Sequence, residues 1–156
     1  MSQRLDPNSD VSIGLWTTAP LWSKVDDGAS PSDGDFIQAV TELTVCELTL
    51  TNPSSTPGSG ISTVTIRAKY TGLLDTAELN GYLIQGITVV GSGVISPSST
   101  FSNFTFNSTS TITDFNDLSV RLELVEFNNT NIQVSWIKVD VPDQDSDSNC
   151  IFFAGD

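Results

Sequence analysis

The chain has 156 residues, one domain by length, and can bury about two-thirds of its unfolded surface. Six Lys plus Arg against nineteen Asp plus Glu give a net charge of −13. That balance argues against nucleic acid and against an anionic membrane surface as partners, because both are held by clustered cations. There is no histidine, which excludes zinc sites built on His and Ser-His or Cys-His nucleophiles, and no apolar run approaches the roughly 20 residues of a spanning helix.

Charged residues make up only 16% of the chain, against about 25% in an average domain. Serine (21) and threonine (18) together supply a quarter of it. Threonine favours strands and serine favours turns, while the good helix formers Ala, Lys and Glu are sparse. The composition therefore predicts an all-β protein.

Residues 1–34 show no clear period and read as an irregular N-terminal arm and loop. The arm carries four apolar anchors, Leu15, Trp16, Leu21 and Trp22, interrupted by Pro20. The stretch SKVDDGASPSDGD that follows is rich in Gly, Pro, Ser and Asp and reads as loop. The sandwich is expected over 35–142, and 143–156 as an acidic tail. In VCELTL, Cys46, Leu48 and Leu50 share a face opposite Val45. In ISTVTIRAKY, Val64, Ile66, Ala68 and Tyr70 point inward, with Thr63, Thr65, Arg67 and Lys69 outward. LLDTAELNG allows at most one helical turn. ELNGYLIQGITVVGSGV holds two short strands around Gly86. In FSNFTF, Phe101 is out of phase with Phe104 and Phe106. In DLSVRLELVEF, Leu118, Val120, Leu122 and Leu124 point inward. NIQVSWIKVDV starts with Ile132, Val134 and Trp136 in phase, then switches to Ile137, Val139 and Val141, which predicts a β-bulge. About eight strands with long loops predict a two-sheet antiparallel sandwich of jelly-roll or Greek-key type.

The N-terminal MSQRLDPNSDVSIG lacks an apolar segment and a small-residue cleavage site, so no secretory leader is expected. On that basis the sequons at Asn103, Asn107 and Asn128 are products of Asn and Thr abundance. Cys46 and Cys150 either pair across a loop of about a hundred residues or stay separate thiols. In PDQDSDSN, Asp143, Asp145, Asp147 and Asn149 alternate like the start of a calcium loop. The pattern then fails, with Ser148 at the glycine position and Ala154 at the glutamate position. A solvated acidic tail is the simpler reading. No phosphate loop, dinucleotide fingerprint or metal-ligand cysteine pair is present, and no carboxylate pair stands at an interpretable spacing. Neither an enzyme nor a cofactor is expected.

The tryptophans invite a carbohydrate reading, because sugars stack on exposed aromatic faces. Trp136 reads as core. Trp16 and Trp22 either clasp the open end of the sandwich or contact a partner protein.

Residues 13–39, IGLWTTAPLWSKVDDGASPSDGDFIQA, resemble the opening segment of small β-sandwich structural proteins of tailed bacteriophages. Trp16, Pro20, Trp22, Asp26, Asp27, Asp35, Phe36 and Ile37 carry the match, with Phe36 where that pattern has tyrosine. The closing VSWIKVDVPD, residues 134–143, is similar to their last strand through Trp136, Val139 and Val141. The resemblance implies a virion-exterior protein without catalytic residues: a capsid decoration or cement protein that binds the major capsid protein and neighbouring copies of itself and stabilises the head, a trimer being the commonest arrangement of such proteins though no residue here demands it. Leu15, Trp16, Leu21 and Trp22 would then fasten it to its partner. The alternative is a carbohydrate- or receptor-binding module of a phage fibre. The two differ in their aromatics: buried at a protein interface in the first, exposed in a groove beside carboxylates in the second.

Overall fold

A computed structural model of the chain describes residues 1–41, 43–72, 77–127 and 131–144. Among the described residues, ten strands follow one another: β1 (Ser2–Leu5), β2 (Pro7–Ser12), β3 (Ile37–Ala39), β4 (Val45–Leu50), β5 (Thr63–Thr71), β6 (Ala77–Gln85), β7 (Thr88–Ile95), β8 (Ser102–Asn107), β9 (Leu118–Phe127) and β10 (Asn131–Pro142). All pairings are antiparallel, and they build two five-stranded sheets. In sheet A, β1 and β3 share one edge of β10, and β5 and β8 follow on the other side. Sheet B runs β2-β4-β9-β6-β7. Neighbours are often distant in sequence, so the chain crosses between sheets in the Greek-key manner. Among the described residues, 3-10 turns at Trp22–Lys24 and Phe115–Asp117 are the helical pieces.

The alternating runs form the core as their period predicts. Val64, Ile66 and Ala68 of β5, Val120, Leu122 and Leu124 of β9, and Val134 of β10 are all fully buried, and Tyr70 packs half-buried against them. Cys46 is a buried free thiol whose pKa burial pushes far up, which keeps it protonated and unreactive. Cys150, the acidic run beyond Gln144 and Asn128 lie outside the described residues, as does the Leu73–Thr76 part of the expected helical turn.

The N-terminal arm is not irregular. Its first twelve residues form β1 on the edge of sheet A and β2 on the edge of sheet B, so the chain switches sheets at Asp6. The sandwich therefore begins at Ser2, not at residue 35. Two properties hide these strands in the sequence. Both are short edge strands, mostly exposed on both faces, and Pro7 occupies the first position of β2, where a missing donor costs nothing. Trp16 (2% exposed) and Leu21 (0%) also belong to the chain's own core. Both Asp10 oxygens accept backbone N–H groups, from Leu21 at 2.8 Å and Trp22 at 2.9 Å, which fixes the turn that inserts Leu21.

The bulge in β10 is present but sits before Trp136, between Val134 and Trp136. That one-residue difference reverses the direction of Trp136. It pairs with the outward-facing Arg67 and lies outside the main core, while Ile137, Val139 and Val141 turn inward. At the bulge, the Ile137 N–H bonds the Val25 carbonyl at 3.0 Å.

β6 and β7 form a tight hairpin through Gly86, whose φ of +62° suits glycine. Where this hairpin meets β8, the sheets come close. A Cβ on Gly93 would lie 2.6 Å from Phe106 Cβ. Gly93→Ala is therefore expected to cost about 1–3 kcal/mol, as other overpacked sites do. The exposed neighbour change Ser92→Ala should stay within about 0.5 kcal/mol. Urea unfolding of the pair checks this.

Candidate functional site: the open face of sheet B

The outer faces of the two sheets differ. On sheet A, the segment after Trp22 folds over the strands and is pinned there. Asp33 receives a two-point contact from Arg67, Nε and Nη2 each at 2.7 Å, and a third bond from Ser135 Oγ at 2.9 Å. Trp136 Nε1 donates to the Gly28 carbonyl at 3.2 Å, and Lys24 pairs with Asp35 at 3.2 Å. The side chains beneath are aromatic and cationic. Arg67 and Lys69 lie over Phe101, and Lys138 lies over Trp136. Sheet A is thus a covered face, and Trp136 is committed to holding the cover.

This cover sets a pH dependence. The Arg67 hydrogen bond is the main reason that the Asp33 carboxyl sits below the usual carboxylate range. A depressed carboxylate stabilises the fold above its unfolded pKa, and the contribution is lost as pH falls through the folded value. Asp26 behaves oppositely. Desolvation, and then neighbouring carboxylates, raise its pKa, so its ionised form opposes folding at neutral pH and protonation relieves that. Asp33→Asn should therefore flatten the loss of stability below about pH 4. Asp26→Asn should raise stability at pH 7. Thermal melts from pH 3 to 7 read both.

Sheet B has no such cover among the described residues. Its outward side chains line up in rows across the strands. One row is Glu47, Arg121, Tyr82 and Ser92, from β4, β9, β6 and β7 in register. The next is Val45, Glu123, Asn80 and Val94. At about 4.8 Å per strand, each row spans about 14 Å. Hydrogen bonds fix the middle of the face. Glu47 accepts from Arg121 Nη2 at 2.8 Å, from Arg121 Nε at 3.0 Å and from Ser119 Oγ at 2.6 Å. Tyr82 Oη donates to Glu123 Oε2 at 2.9 Å. Burial, and after it the Glu123 bond, raises the Tyr82 pKa, so the phenol remains a donor through the neutral range. Asn80, Tyr82, Ser92, Gly93 and Val94 line an open depression of about 420 Å³. The ring is therefore partly exposed in this depression while its hydroxyl is held.

Of the four arm residues singled out in the sequence, Trp16 and Leu21 are inside the core, Trp22 is half-buried against it, and Leu15 is exposed. They do not form one surface. Tyr82 was missed. The signal was present in AELNGYLIQ: once Ala77, Leu79, Gly81 and Leu83 are set inward, an aromatic stands alone on the polar side of the strand.

No family model and no curated protein sequence matches the chain. The fold has relatives among solved structures. The C-terminal CBM6 of LamC, a marine laminarinase from Zobellia galactanivorans, superposes with a TM-score of 0.52 at 15% identity, covering 89% of this chain and 98% of that one. The Agl-KA catalytic domain matches with a TM-score of 0.51 at 12% identity, covering 91% of this chain but only 27% of that one. A family 29 carbohydrate-binding module from Piromyces equi gives 0.45 at 13% identity, with 94% and 93% covered. At these identities the first two likenesses show the β-sandwich fold alone.

Proposed function

We propose that the protein is a non-catalytic carbohydrate-binding module and that the open face of sheet B is its binding surface. The observation that carries this reading is Tyr82. It is a partly exposed aromatic, held by its hydroxyl, in an open depression beside Glu123 and Asn80. Sugars need such a combination: a flat apolar surface for their C–H faces and fixed polar groups for their hydroxyls. Carboxylates that already accept bonds keep further lone pairs for sugar hydroxyls. The fold shared with a CBM6 domain supports the same direction. The decoration-protein reading expected first from the sequence relied on four apolar anchors in the arm, and the burial of Trp16 and Leu21 removes two of them. A setting on the virion exterior follows from the sequence resemblance alone and is compatible with a glycan-binding role. Titration calorimetry against a panel of soluble polysaccharides tests the proposal. Saturable binding without release of reducing sugar supports it. No binding across the panel, or turnover of a bound glycan, contradicts it.

A further inference from the structure

The Tyr82 face does not end at the edge of its depression. Toward β4 and β9, the Glu47–Ser119 part of the face borders a hollow of about 210 Å³ that Val11, Thr49, Asn116 and Asp117 also line. Asn116 in turn belongs to the wall of a depression of about 400 Å³ formed with Pro53–Pro57 loop residues, Thr113 and Phe115. Phe115 is shared with a further hollow of about 300 Å³ between the Gly58–Ile61 and Ser108–Ile112 segments. Neighbouring hollows thus share a residue or a hydrogen-bonded pair all the way from Ile61 to Glu47, where the Tyr82 row begins.

The walls along this path are held in place. Gln85 Oε1 accepts from the Thr113 N–H at 2.8 Å and the Asp114 N–H at 3.1 Å, and Gln85 Nε2 donates to Thr113 Oγ1 at 3.0 Å. Asp114 Oδ1 accepts from the Asn116 N–H at 2.9 Å, closing the turn that presents Phe115. Across the groove, Gly58 N–H bonds the Pro142 carbonyl at 2.9 Å, and Ser62 and Ser108 bond each other twice. Phe115 packs one part of its ring on the core and leaves the rest toward the groove. Preorganised walls lower the ordering cost of binding.

We infer that these hollows and the Tyr82 face form one continuous track for a single extended, uncharged polysaccharide, with Phe115 and Tyr82 as stacking platforms at its two ends. This rests on the carbohydrate reading of the Tyr82 face. The track selects against negative charge. Asp114, Asp117, Glu47 and Glu123 border it, and its one cation, Arg121, is already bound to Glu47, so a polyanion is repelled. Serine, threonine and asparagine side chains, suited to hydroxyl groups, line it alongside apolar residues such as Pro53, Pro57, Ile61 and Val11.

Affinity as a function of chain length tests the track. A neutral polysaccharide found by calorimetry is compared with its short oligosaccharides, for the wild type and for Phe115→Ala. Asn116→Arg, at an exposed position that blocks the path without touching the core, is measured beside them, and thermal melts confirm that each variant is folded. The expected result is a long-to-short affinity ratio of about tenfold or more in the wild type that falls toward one in both variants, with one chain bound per protein. A ratio unchanged by both variants, with binding still lost on Tyr82→Ala, overturns the track and leaves the face reading intact. Binding insensitive to Tyr82 as well overturns both. Tighter binding of a sulfated or uronate polymer than of the neutral one also contradicts the track.

Discussion

Trp16→Ala is expected to lower the stability of the fold by about 3–5 kcal/mol, the range for removing a buried tryptophan. Trp16 is 2% exposed and joins the same cluster as Leu5, Ile37 and Leu21. Its backbone is fixed on both sides. The Trp16 N–H bonds the Ile13 carbonyl at 3.0 Å, and Thr17 bridges Gln38 through two backbone bonds. The side chain therefore cannot be withdrawn without opening the β3 edge of sheet A. For a chain of this size the loss corresponds to about 10 °C in Tm. Leu15, adjacent in sequence and 61% exposed, provides the control, and Leu15→Ala should change stability by less than about 0.5 kcal/mol. If Trp16→Ala melts like the wild type, the tryptophan is not a core residue and its place in the fold is wrong.

The second large effect is the converse, a loss of binding without a loss of fold. Truncating a central aromatic at a binding surface typically costs about 2 kcal/mol, or about thirtyfold in affinity. Tyr82→Ala should show that loss for any glycan the protein binds. Tyr82 stands on the outer face, flanked by Arg121 and Ser92, and the inward contacts of β6 come from Leu79 and Leu83. Tyr82→Phe separates the ring from its hydroxyl. It keeps the stacking surface and removes the hydroxyl's bonds to Glu123 and Asn80, so most of the affinity should remain. Equal losses in the two variants would mean that the hydroxyl, not the ring, makes the contact.

What could be read from the sequence depends on how strongly a strand is two-sided. β5 and β9 each set a buried apolar face against a largely half-buried polar one, and their alternation gave both their existence and their inward residues. β10 is buried on both faces through Gln133, Ser135 and Trp136, so its alternation fades where the bulge lies, and the phase of Trp136 came out reversed. β1 and β2 fail in the other direction, since edge strands exposed on most sides carry too few apolar residues to show a period. The arm tryptophans were ambiguous for a related reason. A loop has no face, and burial of Trp16 and Leu21 depends on distant partners such as Asp10 and Gln38. Tyr82 was legible in principle, but its significance depends on sheet B being the uncovered face. That follows only from Asp33, Gly28 and Val25 drawing the loop over sheet A.

Amide chemical-shift mapping during titration with a neutral polysaccharide fragment tests the binding face most directly. The account predicts shifts concentrated on Asn80, Tyr82, Ser92, Arg121 and Glu123, with the amides around Trp16, Gly28 and Trp136 unmoved. Shifts centred on the loop over sheet A or on the exposed Leu15, with the Tyr82 rows silent, would contradict it.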